Sequence, residues 1–362
     1  LLLRWVELRD FRNHRATVLE DVPAGTVAVV GANGEGKTNL LEGICFLLTL
    51  ESPRTWASEP LVREGAGAAY LRGEVQTLGG RVLIEVEIPS RGASRVQVNR
   101  SRVRRKRDVR RQVRAVFSGP EDLDIVRGDP SHRRRFMDEA VVALWPAKGS
   151  VQLTYERVVR QRNRLLRDWD GRGVPRGLEA WDAELVEVGC ALTRVRAEAV
   201  ERAAQAAERE FRTLTGSGLS CRYTPSVLGE PLEDAFQAQL RDRRADELAR
   251  RATLVGPHRD DVELAVRDLA VRRFASHGEM WAAALALRLG LVVAIEEEVG
   301  EQPVVLLDDP FSALDPRRQV RVSERMETLG QVLVSVADPA RISYSAVRVW
   351  DVSDGRVTVR ES

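Results

Sequence analysis

The chain has 362 residues, 43% hydrophobic and 30% charged, which excludes a disordered or fibrous protein and leaves room for more than one domain. The net charge of +2 does not mark a nucleic-acid binder, yet residues 91–114 hold eleven Arg/Lys and one acid, so the remainder is net negative. The longest apolar stretch, 282–295, contains Arg288 and is too short for a membrane span, and Arg4, Glu7 and Arg9 interrupt any apolar leader. Three widely spaced cysteines (Cys45, Cys190, Cys221) suggest neither a disulfide framework nor a metal site, so a cytoplasmic protein without a membrane partner is expected.

In chain order, residues 2–8 alternate weakly and read as a strand, and 26–30 form a β-branched run ending at Gly31. Residues 37–50 read as a mostly buried helix. Residues 71–77 and 81–88, around Leu78-Gly79-Gly80, predict a hairpin with alternating faces. Within the basic stretch, Val96, Val98 and Val103 between the charges suggest a second hairpin turning at Asn99-Arg100. A helix starts near Pro130-Ser131 and carries Arg133, Arg134 and Arg135 in its first turn. Positive charge is disfavoured there, so an anionic partner is expected: acid side chains, phosphate or DNA.

Residues 151–170 carry an apolar stripe, and the loop 171–177 ends it. Leu178, Trp181, Leu185, Val188, Leu192, Val195 and Ala199 then alternate spacings of three and four, a short coiled-coil seam in a helix reaching about residue 214. At 1.5 Å per residue this helix extends only about 50 Å, which suits an antiparallel helical hairpin rather than a long arm. Residues 253–261 and 262–266 suggest strands, 278–297 a helix, and 303–307, 331–336 and 346–350 further strands.

Two motifs carry the chemistry. GANGEGKT (31–38) follows a strand and opens a helix, the setting of a phosphate loop. Gly31, Gly34 and Gly36 let the backbone curl so that its N–H groups meet phosphate oxygens. Lys37 reaches the β- and γ-phosphates and Thr38 ligates Mg²⁺, with Asn33 and Asn39 completing the candidate ATP-binding set. VVLLDD (304–309) is a buried strand ending in two acids: Asp308 is placed to hold Mg²⁺, and Asp309 to orient or deprotonate the attacking water. ASHGE (275–279) precedes a helix, and Ser276 with Glu279 predicts a capping box.

Phosphate loop, large insertion, ASHGE signature, paired-acid strand and the SALD loop (312–315) occur in the order of the SMC-like, ABC-type ATPases. LRDFRNHR (8–15), FSGPEDLDIVRGDPSHRRRFMDEA (117–140), VGPHRDD (255–261) and LLDDPFSALD (306–315) resemble the RecF family in particular. His277 and Met280 depart from the usual glutamine-rich signature, and Asp309 stands where ABC proteins generally carry glutamate, which suggests slow hydrolysis.

The resemblance implies an α/β ABC-type head with a discontinuous ATP-binding lobe, 1–117 with 300–362, and a helical second lobe, 118–299, holding the hairpin and the signature. It also implies an ATP-dependent head-to-tail homodimer in which Ser276 and Gly278 engage ATP bound to the partner. Arg12 would pair with an ATP phosphate. Arg102, Arg104, Arg105, Lys106 and Arg107 are the candidates for contact with double-stranded DNA. The implied activity is a weak ATPase used as a switch, acting at single-strand/double-strand junctions with RecR to load RecA. A structural SMC-like break-repair ATPase and a P-loop small-molecule kinase are the alternatives.

Overall fold

A computed structural model describes residues 1–55, 57–337 and 346–360. The chain forms two compact units: Leu1–Leu123 with Ala206–Gly218 and Ala275–Ser362, and Asp124–Gln205 with Leu219–Phe274.

The first unit is built on two six-stranded sheets. One is antiparallel, in the order His14–Leu19, Leu2–Phe11, Ala68–Thr77, Gly80–Pro89, Arg95–Val98, Ser101–Val103. Its strands alternate as the sequence predicts: Leu71, Val75, Ile84 and Ile88 face the core. On the other face Arg72 pairs with Glu7 and Glu85, Arg81 with Glu74, and Arg95 with Glu87. Asn99 and Arg100 both have positive φ (50° and 64°), the geometry that a two-residue hairpin turn matching strand twist requires.

The second sheet runs Arg356–Arg360, Arg348–Ser353, Gly25–Val30, Gln331–Val336, Val304–Asp308, Ala115–Ser118, and all its neighbours except the first pair are parallel. Its central strands are buried along nearly their whole length and mostly apolar because both faces are covered. Helix Lys37–Thr49 packs against strands of both sheets, and Leu40, Leu41, Ile44 and Leu47 on it are fully buried in their shared core.

Helix His277–Val299 belongs to this first unit, not to a lobe spanning 118–299 as the sequence suggested. Its apolar middle is buried on every face, and it lies beside strand Ala115–Ser118, tied down by Trp281 Nε1 donating to Pro310 O (2.9 Å) and by Arg288 bonding Asp122 (2.6 Å). By length and composition alone it could cross a bilayer, but most of it is buried inside the unit. The end of helix Leu178–Thr215 is also counted here, with Glu210 accepting from Arg325 at 2.8–2.9 Å.

The second unit holds helices Pro130–Leu144 and Gly149–Arg167, most of helix Leu178–Thr215, two shorter helices (Leu232–Asp242, Arg244–Arg250), and a sheet of Leu219–Thr224, Asp261–Val266 and Leu269–Ala270. Of the seam, Leu178, Leu185, Leu192, Val195 and Ala199 are buried, while Trp181 and Val188 are half-buried. Buried arginines organise the rest of the core. Arg162 is fully buried and bonds Glu247 (2.5 and 3.1 Å), Asp182 (2.9 Å) and Thr253 (2.8 Å). Arg196 forks onto Asp138 at 2.8 Å twice and donates to Pro257 O.

Two of the three arginines crowding the first helical turn bond carboxylates within this unit, and the third bonds a backbone carbonyl. Arg133 forks onto Asp261 (2.6 and 3.0 Å), Arg134 donates to Asp260 O (3.0 Å), and Arg135 bonds Glu139 (2.8 Å). Residues 253–260 do not form the expected strand. Asp260, fully buried, accepts from Ser226 N and Tyr223 Oη and thereby fixes a turn, with a short 3₁₀ segment at Pro257–Arg259; the strand starts only at Asp261.

Candidate functional site

The phosphate loop leaves strand Gly25–Val30 and turns into helix Lys37–Thr49 through Gly34 (φ 90°) and Gly36 (φ 116°), backbone angles that only glycine adopts without strain. A Cβ on Gly31 would sit 2.3 Å from Val352 O, so that position excludes any side chain. The helix has no acid in its first turn, which leaves its N-terminal dipole available to an anion. Lys37 is buried, and its Nζ donates to Gly31 O (2.7 Å) and Ala32 O (2.8 Å). Burial pushes its pKa down, against the pull of Asp308, Asp309 and Glu35. An ammonium has three donors, so the two carbonyl bonds leave one for a phosphate oxygen. Asn33 sits exposed at the loop's tip, and Asn39, on the helix, donates to Asn13 Oδ1.

Thr38 and Asp308, 270 residues apart, meet: Thr38 Oγ1 donates to the Asp308 carboxylate at 2.9–3.0 Å. Strand Gln331–Val336 lies between strand Gly25–Val30, which feeds the phosphate loop, and strand Val304–Asp308, and it supplies a residue that sequence reasoning missed. Ser335, fully buried, donates to Asp308 Oδ1 (2.5 Å) and accepts from Asp309 N (3.0 Å), so one hydroxyl orients both acids. The signal was a serine inside an otherwise apolar buried strand, where a polar group needs a partner. Asp309 leaves the strand with φ 48°, which turns it away from the strand direction.

The hydroxyl of Thr38 and the carboxylate of Asp308 are two hard oxygen donors at one point, which suits Mg²⁺. No group of three or more His, Cys, Asp and Glu among the described residues forms a protein-only metal cage.

Ser276 and Gly278 lie at the start of helix His277–Val299, and Gly278 lies against the SALD loop. Ser276 caps helix His277–Val299 in both directions: its N donates to Glu279 Oε2 (2.9 Å) and its Oγ accepts from Glu279 N (3.3 Å). A Cβ on Gly278 would lie 2.9 Å from Arg318 Nη1 and 3.3 Å from Ala313 O. Arg12 forks onto fully buried Glu42 at 2.9 and 2.7 Å, and Glu42 also accepts from Ser52 and Arg54. The partner of Arg12 in this structure is therefore a carboxylate of the phosphate-loop helix.

In the basic stretch the structure separates occupied from unoccupied charges. Lys106 and Arg110 pair with Glu51, and Arg107 is half-buried beside Asp108. Arg114 is buried and its pKa is lowered to about 10 by burial and by Arg110. Arg102, Arg104 and Arg105 are exposed.

A family described as RecF/RecN/SMC N terminal domain matches residues 2–354. The DNA replication and repair protein RecF of Acidothermus cellulolyticus is 40% identical over 350 residues, covering 93% of this chain and 94% of that protein. The solved structure of the recombination mediator protein RecF with ATP, from the RecFOR pathway, has a TM-score of 0.90 at 26% identity, covering 99% of this chain and 97% of that one. The Smc head domain of Pyrococcus furiosus bound to the C-terminal domain of ScpA has a TM-score of 0.57 at 18% identity, covering 99% and 95%, and shares the α/β ABC-type head fold.

Proposed function

The chain belongs to the RecF family of SMC-like ATPases, and from that premise we propose that it is an ATP-switched, DNA-binding recombination mediator of the cytoplasm. The observation that carries this is the division of the candidate residues into two groups. Lys37, Thr38, Asp308 and Asp309 gather at the phosphate loop, while Ser276 and Gly278 open another helix, His277–Val299, whose Gly278 lies against Ala313 of the SALD loop. Two half-sites on one chain suit a head-to-tail homodimer in which the signature of one protomer closes over the ATP of the other.

In the proposed site Lys37 and the loop N–H groups hold the phosphates, and Thr38 and Asp308 hold Mg²⁺. Bound Mg²⁺ would neutralise charge on the phosphate oxygens. Asp309 takes the proton of the attacking water. Aspartate in this position, in place of glutamate, suits slow hydrolysis and a switch rather than a motor. ATP binding closes the dimer on duplex DNA near a single-strand/double-strand junction. RecR joins there, RecA is loaded, and hydrolysis reopens the dimer. Arg12 holds Glu42 in the free chain and is available to exchange that carboxylate for an ATP phosphate. A small-molecule kinase would leave the signature and SALD groups without a role.

Light scattering with ATP, ADP and no nucleotide tests this. ATP alone should produce a dimer, Lys37→Met should abolish it by removing ATP binding, and Ser276→Arg should abolish it with ATP binding by the monomer intact. A dimer of Ser276→Arg with wild-type ATP dependence would refute the composite site.

A further inference from the structure

Two loops remote in sequence grip the phosphate loop from outside at Glu35 and Gly36. We propose that Asn13 and His14, between the first two strands, and the turn Asp354-Gly355 of the last hairpin are positioning residues for ATP binding. The inference rests on residues 31–38 being the ATP site.

The grip is specific. Asn13 Nδ2 donates to Glu35 O (3.1 Å), and Asn13 Oδ1 accepts from Asn39 Nδ2 (2.8 Å), so the amide has one workable orientation. Gly355 N donates to the same Glu35 O (2.9 Å), and Asp354 N donates to the Glu35 carboxylate. His14 is fully buried, with Nε2 3.0 Å from Gly36 O and Nδ1 3.0 Å from Thr17 Oγ1. A carbonyl only accepts, so Nε2 carries the ring proton, and Nδ1 faces the Thr17 hydroxyl, which also lies 3.4 Å from Gly355 O. Burial lowers the His14 pKa and keeps the ring neutral. The contact is also sterically closed. A Cβ on Gly36 would lie 2.7 Å from Asn13 Nδ2, and one on Gly355 would lie 2.2 Å from Asn13 O.

The consequence follows from the planar trans peptide, in which C=O and the next N–H point in opposite directions. Pinning the carbonyls of Glu35 and Gly36 towards Asn13, Gly355 and His14 turns the N–H groups of Gly36 and Lys37 the other way, away from the grip. Those are donors that a phosphate loop offers to its anion. Without the grip the Glu35–Gly36 peptide can rotate, and the Gly36–Lys37 peptide, whose carbonyl also accepts from Leu40 N (2.9 Å), loses its second anchor, so the donors lose their common aim before ATP arrives.

The test compares Mg-ATP affinity by calorimetry with nucleotide-free melting temperature, on the full chain. Asn13→Asp keeps the shape and the Asn39 bond but sets a carboxylate oxygen against Glu35 O. His14→Leu removes the Gly36 bond, and His14→Gln restores an N–H donor near the same place. Gly355→Ala pushes the hairpin turn off Asn13. Asn13→Asp, His14→Leu and Gly355→Ala should each weaken ATP by about tenfold, the scale of one displaced buried hydrogen bond. His14→Gln should recover most of the loss, a rescue that a purely structural role does not predict. Folded Asn13→Asp and Gly355→Ala proteins binding ATP like the wild type would overturn the proposal, as would His14→Gln binding as weakly as a folded His14→Leu. If the wild type bound no ATP, or Lys37→Met bound it fully, the ATP site itself would be at fault instead.

Discussion

Two pairs of basic residues in and just after the hairpin of strands Arg95–Val98 and Ser101–Val103, up to the first residue of a short helix Lys106–Arg110, give the DNA reading a sharp test. Arg104 and Arg105 are exposed and have no ion pair among the described residues. Arg95 and Lys106 are also exposed, but they sit on Glu87 (3.0 Å) and Glu51 (3.3 Å). The double variants Arg104→Ala/Arg105→Ala and Arg95→Ala/Lys106→Ala remove the same formal charge. Each arginine that contacts phosphate releases about 0.9 counterion, so losing Arg104 and Arg105 should flatten the slope of log affinity against log salt by about 1.8. Over a fourfold rise in salt, that makes the wild type lose about tenfold more affinity than this variant. The paired residues start partly neutralised, so their removal should change the slope by less than about one unit. Fluorescence anisotropy on a duplex, with ATP present and four salt concentrations, reads both slopes. Equal changes for the two variants would mean that only net charge matters. No change for Arg104→Ala/Arg105→Ala would mean that the DNA path avoids this hairpin.

Three further outcomes are expected. Asp309→Asn should bind ATP and prolong the dimer while hydrolysis falls by about a hundredfold, the scale of a lost general base; full hydrolysis in a phosphate-release assay would move the base elsewhere. Ser335→Ala strips Asp308 of a 2.5 Å hydrogen bond and Asp309 N of its acceptor. It should cost about 1–3 kcal/mol in urea unfolding and weaken Mg²⁺-dependent ATP binding, and an unaffected variant would remove Ser335 from the site. His258 is held down at about 4, from an ordinary 6.5, chiefly by burial and further by nearby arginines. The unfolded chain therefore takes a proton between those values that the folded chain refuses, so stability falls as pH drops through this window, by about 2 kcal/mol at pH 5. His258→Gln should lessen the loss of urea midpoint between pH 7 and pH 5, and an unchanged loss would place the titration on other groups.

Where a signal is local, the sequence by itself determined the outcome. The phosphate loop needs glycines at set spacing before a helix, and strand Gly25–Val30 and helix Lys37–Thr49 lie around it as expected. The turn at Asn99-Arg100, the buried heptad face of helix Leu178–Thr215 and the Ser276–Glu279 cap are likewise matters of backbone angle or side-chain period. Other strands were not legible. His14–Leu19 and Arg356–Arg360 are short edge strands with much of their surface exposed, and Leu219–Thr224 is equally short, so their periodicity is weak.

Choice of partner was decided only by tertiary structure. A charged side chain bonds whatever the fold brings within about 3 Å, and sequence separation does not enter. Arg12 turned to Glu42, Arg133 to the acid of Asp261 and Arg134 to the backbone carbonyl of Asp260, while Ser335 bridged two acids from a neighbouring strand. Gly355 closed on Glu35 from the far end of the chain. Helix His277–Val299 joined the first unit because its apolar middle, buried on every face, must be covered on every side, and a string of letters does not say by what.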